Sequence, residues 1–160
     1  MSTRQLTTNG KSNYCIVINK NASASEKHAA NELQEFLWQI SGAKLAIVHD
    51  EIKKKSKEII LGNNKHLAQL GINIDFDKLG DEGFSIKTAN DSIVIAGGKL
   101  RGTMYGVYTF LEDYLGCRWF SSKVSYIPKN ELIEIGSIDD TQVPNLEYRE
   151  EYYFDAFDGD

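Results

Sequence analysis

The chain has 160 residues, close to the roughly 150 that a single domain contains. Apolar residues make up 41% and charged residues 26%, both ordinary for a globular protein. The formal net charge of -5 argues against a nucleic-acid binder, because phosphates require a basic face. No apolar run is long enough to span a bilayer, so we expect no membrane insertion.

Cysteine and histidine are scarce and not grouped. Cys15 and Cys117 each lie in an apolar stretch, which favours small buried thiols and leaves a single disulfide as the alternative. His28, His49 and His66 match no metal-ligand spacing, and positions on a helix surface or at a loop edge account for them. We therefore expect no metal site and no cofactor.

The first predicted elements are a strand and a long helix. Residues 14–19 (YCIVIN) are β-branched and apolar, which is typical of a buried strand. Ser23 and Glu26 then form an S-x-x-E capping box, and Gly42 tolerates the left-handed backbone that ends helices. Between them, apolar side chains recur at helical spacing: Ala30, Leu33, Phe36, Leu37 and Ile40.

Short elements follow up to residue 97. The lysine-rich run 53–57 is flanked by acidic residues and indicates a solvated turn rather than a basic patch. The patterns around it predict strands over 44–49 and 58–62, a short helix over 65–70, and a hairpin of 82–88 with 92–96.

A second long helix is predicted over 100–115, directly after Gly97-Gly98. Lys99 stands where a dinucleotide fingerprint needs its second glycine, so the glycines indicate a tight turn, with Gly102 allowing close packing. Gly116 ends the helix, and short extended segments follow. Both long helices are amphipathic on one face, which predicts a two-layer α/β domain with the helices side by side on a mixed sheet.

The composition changes after residue 136. Residues 137–144 are interpreted as a linker, and residues 145–160 are dense in aromatic and acidic side chains, which favours the start of a second domain. The polar residues 1–13 contain no apolar segment of the signal-peptide type and are interpreted as disordered or as a leader remnant. The two-layer α/β domain itself is then expected over 14–136.

The segment GGKLRGTMYGVYTFLEDYLGCRWF (97–120), with DEGFSIKT before it and VPNLEYRE after it, resembles the N-terminal domain of alpha-glucuronidase-like glycoside hydrolases. The likeness covers about residues 14–155, is closest to bacterial, gut-type multidomain proteins, and extends to beta-hexosaminidases. It implies helices packed on one face of a mixed sheet. It also implies that catalysis belongs to a following (β/α)₈ barrel of roughly 250 residues, whose first strand would lie in 145–160.

The resemblance also implies roles for individual residues. Arg149 matches an arginine that binds sugar hydroxyls in beta-hexosaminidases, the alternative being a structural ion pair with a neighbouring glutamate. Arg101, Arg118 and Tyr148 are candidates for packing between domains. Trp119 is expected to pack in the domain or at that interface, with a carbohydrate-stacking platform as the alternative.

No catalytic residue is predicted in this chain. The acidic pair Glu112-Asp113 is adjacent on a helix, so its side chains diverge, and the neighbouring Glu150-Glu151 would face opposite sides of a strand. Neither pair by itself provides the two opposed carboxylates of a glycosidase.

The expected function is that of a non-catalytic accessory domain of a secreted or periplasmic glycoside hydrolase that breaks down glycans. Its expected partner is the C-terminal catalytic barrel of the same chain, with carbohydrate as a second partner. A self-standing carbohydrate-binding module that uses Trp119 and the tail tyrosines is the alternative. Nucleotide binding at Gly97-Gly98 is a third hypothesis, which the missing glycine disfavours.

Overall fold

The computed structural model describes residues 2–144 and shows ten strands and four α-helices in that range. The helices are α1 (Ala24–Ser41), α2 (Lys65–Gln69), α3 (Phe76–Leu79) and α4 (Gly102–Thr109), and α4 continues into a π-helical segment, Phe110–Tyr114. The strands are β1 (Arg4–Thr7), β2 (Cys15–Ile18), β3 (Ile47–His49), β4 (Glu58–Leu61), β5 (Phe84–Ala89), β6 (Ser92–Gly97), β7 (Arg118–Ser121), β8 (Val124–Tyr126), β9 (Ile133–Ile135) and β10 (Asp139–Gln142).

Six strands form one mixed sheet in the order β10-β5-β6-β4-β2-β3. Strands β3, β2, β4 and β6 run parallel, whereas β5 is antiparallel to both β6 and β10. Two small antiparallel pairs, β1–β9 and β7–β8, lie beside it. The predicted α/β fold with a mixed sheet is confirmed.

Helix α1 begins and ends where the sequence indicates. The Ser23 hydroxyl accepts from the Glu26 N–H at 3.1 Å, and the Glu26 carboxylate accepts from the Ser23 N–H at 2.9 Å. Gly42 adopts a φ of 78° and donates its N–H to the Trp38 carbonyl. The capping box satisfies free backbone donors at the N-terminus, and the glycine permits the left-handed exit.

Both faces of the sheet are buried. Because successive strand residues point to opposite sides, neighbouring residues of one strand belong to different core clusters. Residues such as Ile16, Ile59 and Ile93 belong to the larger core cluster, together with the buried side chains of α1 and α4. Their neighbours Val17 and Ile60 belong to a second cluster with residues of α2 and α3. The two long helices therefore share one face, as predicted, and short helices cover part of the other.

The glycines around residue 97 serve close backbone packing. A Cβ at Gly97 would collide with the backbone of Gly102, and one at Gly102 would collide with the carbonyl oxygen of Gly83. A Cβ at Gly98 would likewise strike the carbonyl oxygen of Gly80. Backbone thus fills the space beside these glycines, which supports the tight-turn and close-packing interpretation.

The second long helix is not a uniform α-helix. Its hydrogen bonding widens over Phe110–Tyr114, and the helix then ends at Gly116, whose φ is 80°. The widened turn keeps Phe110 and Leu111 fully buried while the Tyr114 hydroxyl donates to the Asp140 carboxylate at 3.3 Å. A π-helical turn of this kind has no sequence signal in the apolar periodicity that predicted the helix.

The domain extends beyond the predicted boundaries at both ends. Residues 4–7, expected to be disordered or a leader remnant, form β1 and pair with β9. Residues 139–142, expected in a linker, form β10 and pair with β5, where Lys87 and Asp139 make a 3.1 Å ion pair. Both corrections have one physical reason: these polar strands are stabilised by partners distant in sequence. The predicted barrel strand, residues 145–160, lies outside the described residues.

The two cysteines are free and lie on opposite faces of the sheet. Cys15 belongs to the smaller core cluster and Cys117 to the larger one, which excludes a disulfide between them in this fold. Burial raises the pKa of both thiols, as expected for unreactive structural cysteines.

The surface position predicted for all three histidines is wrong for His66. His28 and His49 are exposed, but His66 is completely buried, with both ring nitrogens hydrogen-bonded. Over residues 2–144, no cluster of His, Cys, Asp and Glu has the geometry to hold a metal ion. In the same range, no helix is both long enough and apolar enough to cross a membrane.

Candidate docking surface

A groove of about 650 Å³ lies between α4 and the point where the described chain ends. Its polar side chains come from the loop before β5, from the second helix with its flanking residues and from the end of β10: Glu82, Arg101, Tyr105, Tyr108, Thr109, Glu112 and Gln142. Val143 and Pro144 form its other wall. The groove therefore borders the chain where it continues toward residue 145.

Arg101 is fixed at one end of the groove by its place at the start of α4. The Arg101 carbonyl accepts a hydrogen bond from the Tyr105 N–H at 3.0 Å, and Arg101 is the N-cap residue of α4. The Tyr105 side chain and, to a smaller extent, the nearby Glu82 carboxylate raise the pKa of the exposed Arg101 guanidinium above its ordinary value. Arg101 thus presents a permanent cation at the groove edge.

The β7–β8 hairpin exposes an apolar face beside the groove. Phe120 is 70% exposed, and Val124 and Tyr126 are also mostly exposed. Several exposed large apolar side chains on one short hairpin favour an interaction site. The groove and this hairpin together are called the docking surface below.

Trp119 joins the hairpin to the body of the domain. Its ring meets Phe36 of α1 and Tyr108 of α4 edge to face, with centroid distances of 5.4 and 5.6 Å. The Tyr108 hydroxyl donates to Glu32, and burial together with this carboxylate raises the pKa of Tyr108 to about 12. The aromatic contacts hold the hairpin against both long helices, yet 38% of Trp119 stays exposed.

Arg118, the first residue of β7, hydrogen-bonds backbone carbonyls at the C-terminal end of the second long helix. Its guanidinium donates to the Glu112 carbonyl at 2.6 Å and to the Cys117 carbonyl at 2.7 Å. A cation that satisfies carbonyls at a helix C-terminus is favourable, both as a hydrogen-bond donor and toward the helix dipole. The side chain is therefore engaged within the domain, and its predicted contact with another domain stays a prediction.

The structure brings together two of the residues predicted from sequence. Arg101 lies in the groove, and Trp119 lies in the adjoining hairpin through its contact with the groove residue Tyr108. Tyr148 and Arg149 lie outside the described residues. Val124 and Tyr126 were not predicted to belong to this surface, because only the pairing of β7 with β8 places them beside Trp119.

This architecture defines the class of protein: an α/β domain of the type found at the N-terminus of glycoside hydrolases. The chain belongs to the family described as Glycosyl hydrolase family 67 N-terminus, which matches residues 2–110. The match confirms the resemblance seen in the sequence. No curated protein is significantly similar to the chain.

Two solved structures show the same fold. The chain aligns over 91% of its length with a family GH115 4-O-methyl-alpha-glucuronidase with specificity for decorated arabinogalactans, at 20% identity and a TM-score of 0.65. It aligns over 92% of its length with the GH20 beta-N-acetylhexosaminidase from Streptomyces coelicolor A3(2), at 16% identity and a TM-score of 0.55. The chain spans only 19% of the first structure and 25% of the second.

Proposed function

We propose that this chain is the non-catalytic accessory domain of an alpha-glucuronidase-like glycoside hydrolase, and that it supports the catalytic barrel of the same polypeptide. The observation that carries the proposal is the position of the groove, which is lined by Val143 and Pro144 where the chain continues toward residue 145. The family match and the small share of each similar enzyme that the chain spans support it.

The docking surface has the chemistry of an interface between domains. Phe120, Val124 and Tyr126 supply apolar area, and burying such area stabilises a contact by roughly 25 cal/mol per Å². Arg101 and Glu82 at the groove supply charges that fix orientation more than they add affinity. A domain that follows Pro144 directly would begin at the wall of the groove.

The proposal places the parent enzyme outside the cytoplasm, because polysaccharides do not cross membranes. It is therefore secreted or periplasmic, with glycans as substrates. Under this proposal Tyr148 and Arg149 belong to the following domain, Tyr148 at the interface and Arg149 on sugar hydroxyls. Under the same proposal, catalysis belongs to the following domain.

Hydrogen exchange tests the docking. In the longer native polypeptide we expect the backbone amides of 118–126 to exchange about tenfold more slowly, or slower still, than in the 160-residue chain, because the following domain covers them. The double substitution Phe120→Asp/Tyr126→Asp should abolish this difference and lower the Tm of the longer polypeptide.

The matched control is Ile52→Asp. Ile52 is also exposed, but it follows β3 at the sheet edge opposite β10, far from Pro144 in strand order. It should leave the protection of 118–126 unchanged. Equal exchange of these amides in the long and short polypeptides would contradict the docking.

A self-standing carbohydrate-binding module is the second candidate. The partial exposure of Trp119 favours it, because an indole face stacks on the C–H face of a sugar. This function requires saturable glycan binding that Trp119→Ala abolishes in the 160-residue chain, whereas the accessory function requires none at Trp119.

A further inference from the structure

A second groove lies at the C-terminal end of α1, away from the docking surface. It measures about 500 Å³ and is lined by the last turn of α1 and by the segment between β8 and β9. Its lining includes the side chains of Trp38, Gln39, Lys129, Asn130 and Glu131, and we call this cavity the Trp38 groove. Its volume is within the roughly 300–1,000 Å³ in which proteins hold small ligands.

Two hydrogen bonds fix the walls of the Trp38 groove. The Asn130 N–H donates to the Ile40 carbonyl at 2.8 Å, and the Lys129 ammonium donates to the Gln39 carbonyl at 2.6 Å. Both carbonyls belong to the C-terminal end of α1, where backbone acceptors lack partners within the helix. The segment 129–131 is therefore held against α1 independently of any ligand.

Trp38 lies on a different side of α1 from the aromatic contact that holds the hairpin. Phe36 packs on Trp119, and Trp38 follows two residues later on the same helix, which turns its side chain about 200° around the axis. Trp38 therefore projects from a different side of α1 and is 49% exposed. None of the contacts that carry the proposed docking uses it.

The lining combines one aromatic ring with polar groups that have free bonding capacity. The Asn130 amide oxygen accepts from the Leu132 N–H, which leaves its two N–H groups available. The Gln39 amide donates to Glu35, which leaves its oxygen as an acceptor. Glu131 has no side-chain ion pair within residues 2–144.

We propose that the Trp38 groove binds hexopyranose units of a neutral glycan chain. A pyranose ring has an apolar face of C–H groups that stacks on an indole and a rim of hydroxyls that donate and accept. Lys129 and Glu131 offset each other in charge, so a neutral ligand fits better than a polyanion. Trp38 is the only exposed large apolar side chain of the lining, whereas a protein partner needs about 800 Å² per side.

Affinity electrophoresis of the 160-residue chain tests this site, with a soluble β-glucan and a soluble galactan as probes in the gel. We expect at least one of them to retard the wild-type chain, and Trp38→Ala to weaken that retardation about tenfold or more. Phe120→Ala, the truncation of a still more exposed aromatic side chain on the hairpin, should leave it unchanged. Because Trp38 is half-exposed, Trp38→Ala should keep the wild-type circular dichroism spectrum.

Tryptophan fluorescence provides an independent reading, since the chain has two tryptophans, Trp38 and Trp119. The retarding glycan should change the emission of wild type but not that of Trp38→Phe, in which Trp119 alone emits. Two results would overturn the proposal: no retardation by either polysaccharide, or retardation that persists in Trp38→Ala. Loss of retardation in Phe120→Ala instead would assign glycan binding to the hairpin.

Discussion

His66→Leu is expected to lower the free energy of unfolding by about 3–5 kcal/mol, because it leaves a buried carboxylate without its partner. Glu58 and His66 are both fully buried, and the His66 Nδ1 lies 3.0 Å from the Glu58 carboxylate. The His66 Nε2 lies 2.9 Å from the Ile52 carbonyl, which accepts only. The ring thus lies between two buried acceptors, with Nε2 facing the carbonyl and Nδ1 facing the carboxylate.

The rest of the cluster explains why the loss is large. The other oxygen of the Glu58 carboxylate accepts from the Lys55 N–H at 2.7 Å, and the Lys54 ammonium lies 3.7 Å from the oxygen that faces His66. The network thus joins β4, α2 and the lysine-rich turn. Without the imidazole, the carboxylate keeps the cost of burial and loses the buried side-chain partner of one of its oxygens.

Urea unfolding measures this effect, and the double variant Glu58→Leu/His66→Leu is the matched control. Replacing both partners removes the buried charges, so the double variant should lose less stability than His66→Leu alone. A change of less than about 1 kcal/mol for His66→Leu would show that the pair contributes no more than an exposed ion pair.

Leu6→Ala is expected to lower the free energy of unfolding by about 2–5 kcal/mol, the usual cost of deleting a buried leucine side chain. Leu6 lies in β1 and is 1% exposed within the larger core cluster. Its neighbour Thr7 donates to the Glu131 carbonyl and accepts from the Ile133 N–H. The Arg4 guanidinium reaches across to the Asn90 carbonyl at 2.6 Å, which ties β1 to the β5–β6 turn.

The control is Gln5→Ala on the exposed side of the same strand, which should change stability by about 0.5 kcal/mol or less. Thermal or urea unfolding of the two variants compares one face of β1 with the other. If residues 1–13 behaved as the leader remnant that the sequence predicts, both substitutions would be without effect.

Local signals in the sequence predicted local structure well. Ser23, Glu26 and Gly42 define α1 through contacts within a few residues, so its ends are encoded where they occur. Strands β2, β4 and β6 could be predicted because both of their faces are buried, which makes each of them a mostly apolar run in the sequence. The strands RQLT and DDTQ were missed because their polar composition hides pairings with residues more than 50 positions away.

The candidate sites also divide into features that the local sequence encodes and features that depend on distant residues. Arg101 and Trp119 were predicted from a motif continuous in sequence; in the structure Arg101 lines the groove and Trp119 contacts the groove residue Tyr108, and their interdomain role stays a prediction. The burial of His66 depends on Glu58 from a neighbouring strand, and the Trp38 groove depends on a segment about 90 residues later. No sequence period indicates either arrangement, because each is created by tertiary contacts.

The mass of the native polypeptide tests the central claim most directly. An antibody raised against this chain would be used to blot extracts and culture supernatant of the source cells. An accessory domain requires a band several times larger than 18.0 kDa, since the catalytic barrel belongs to the same polypeptide. A single band near 18.0 kDa would contradict that account and favour the self-standing carbohydrate-binding module.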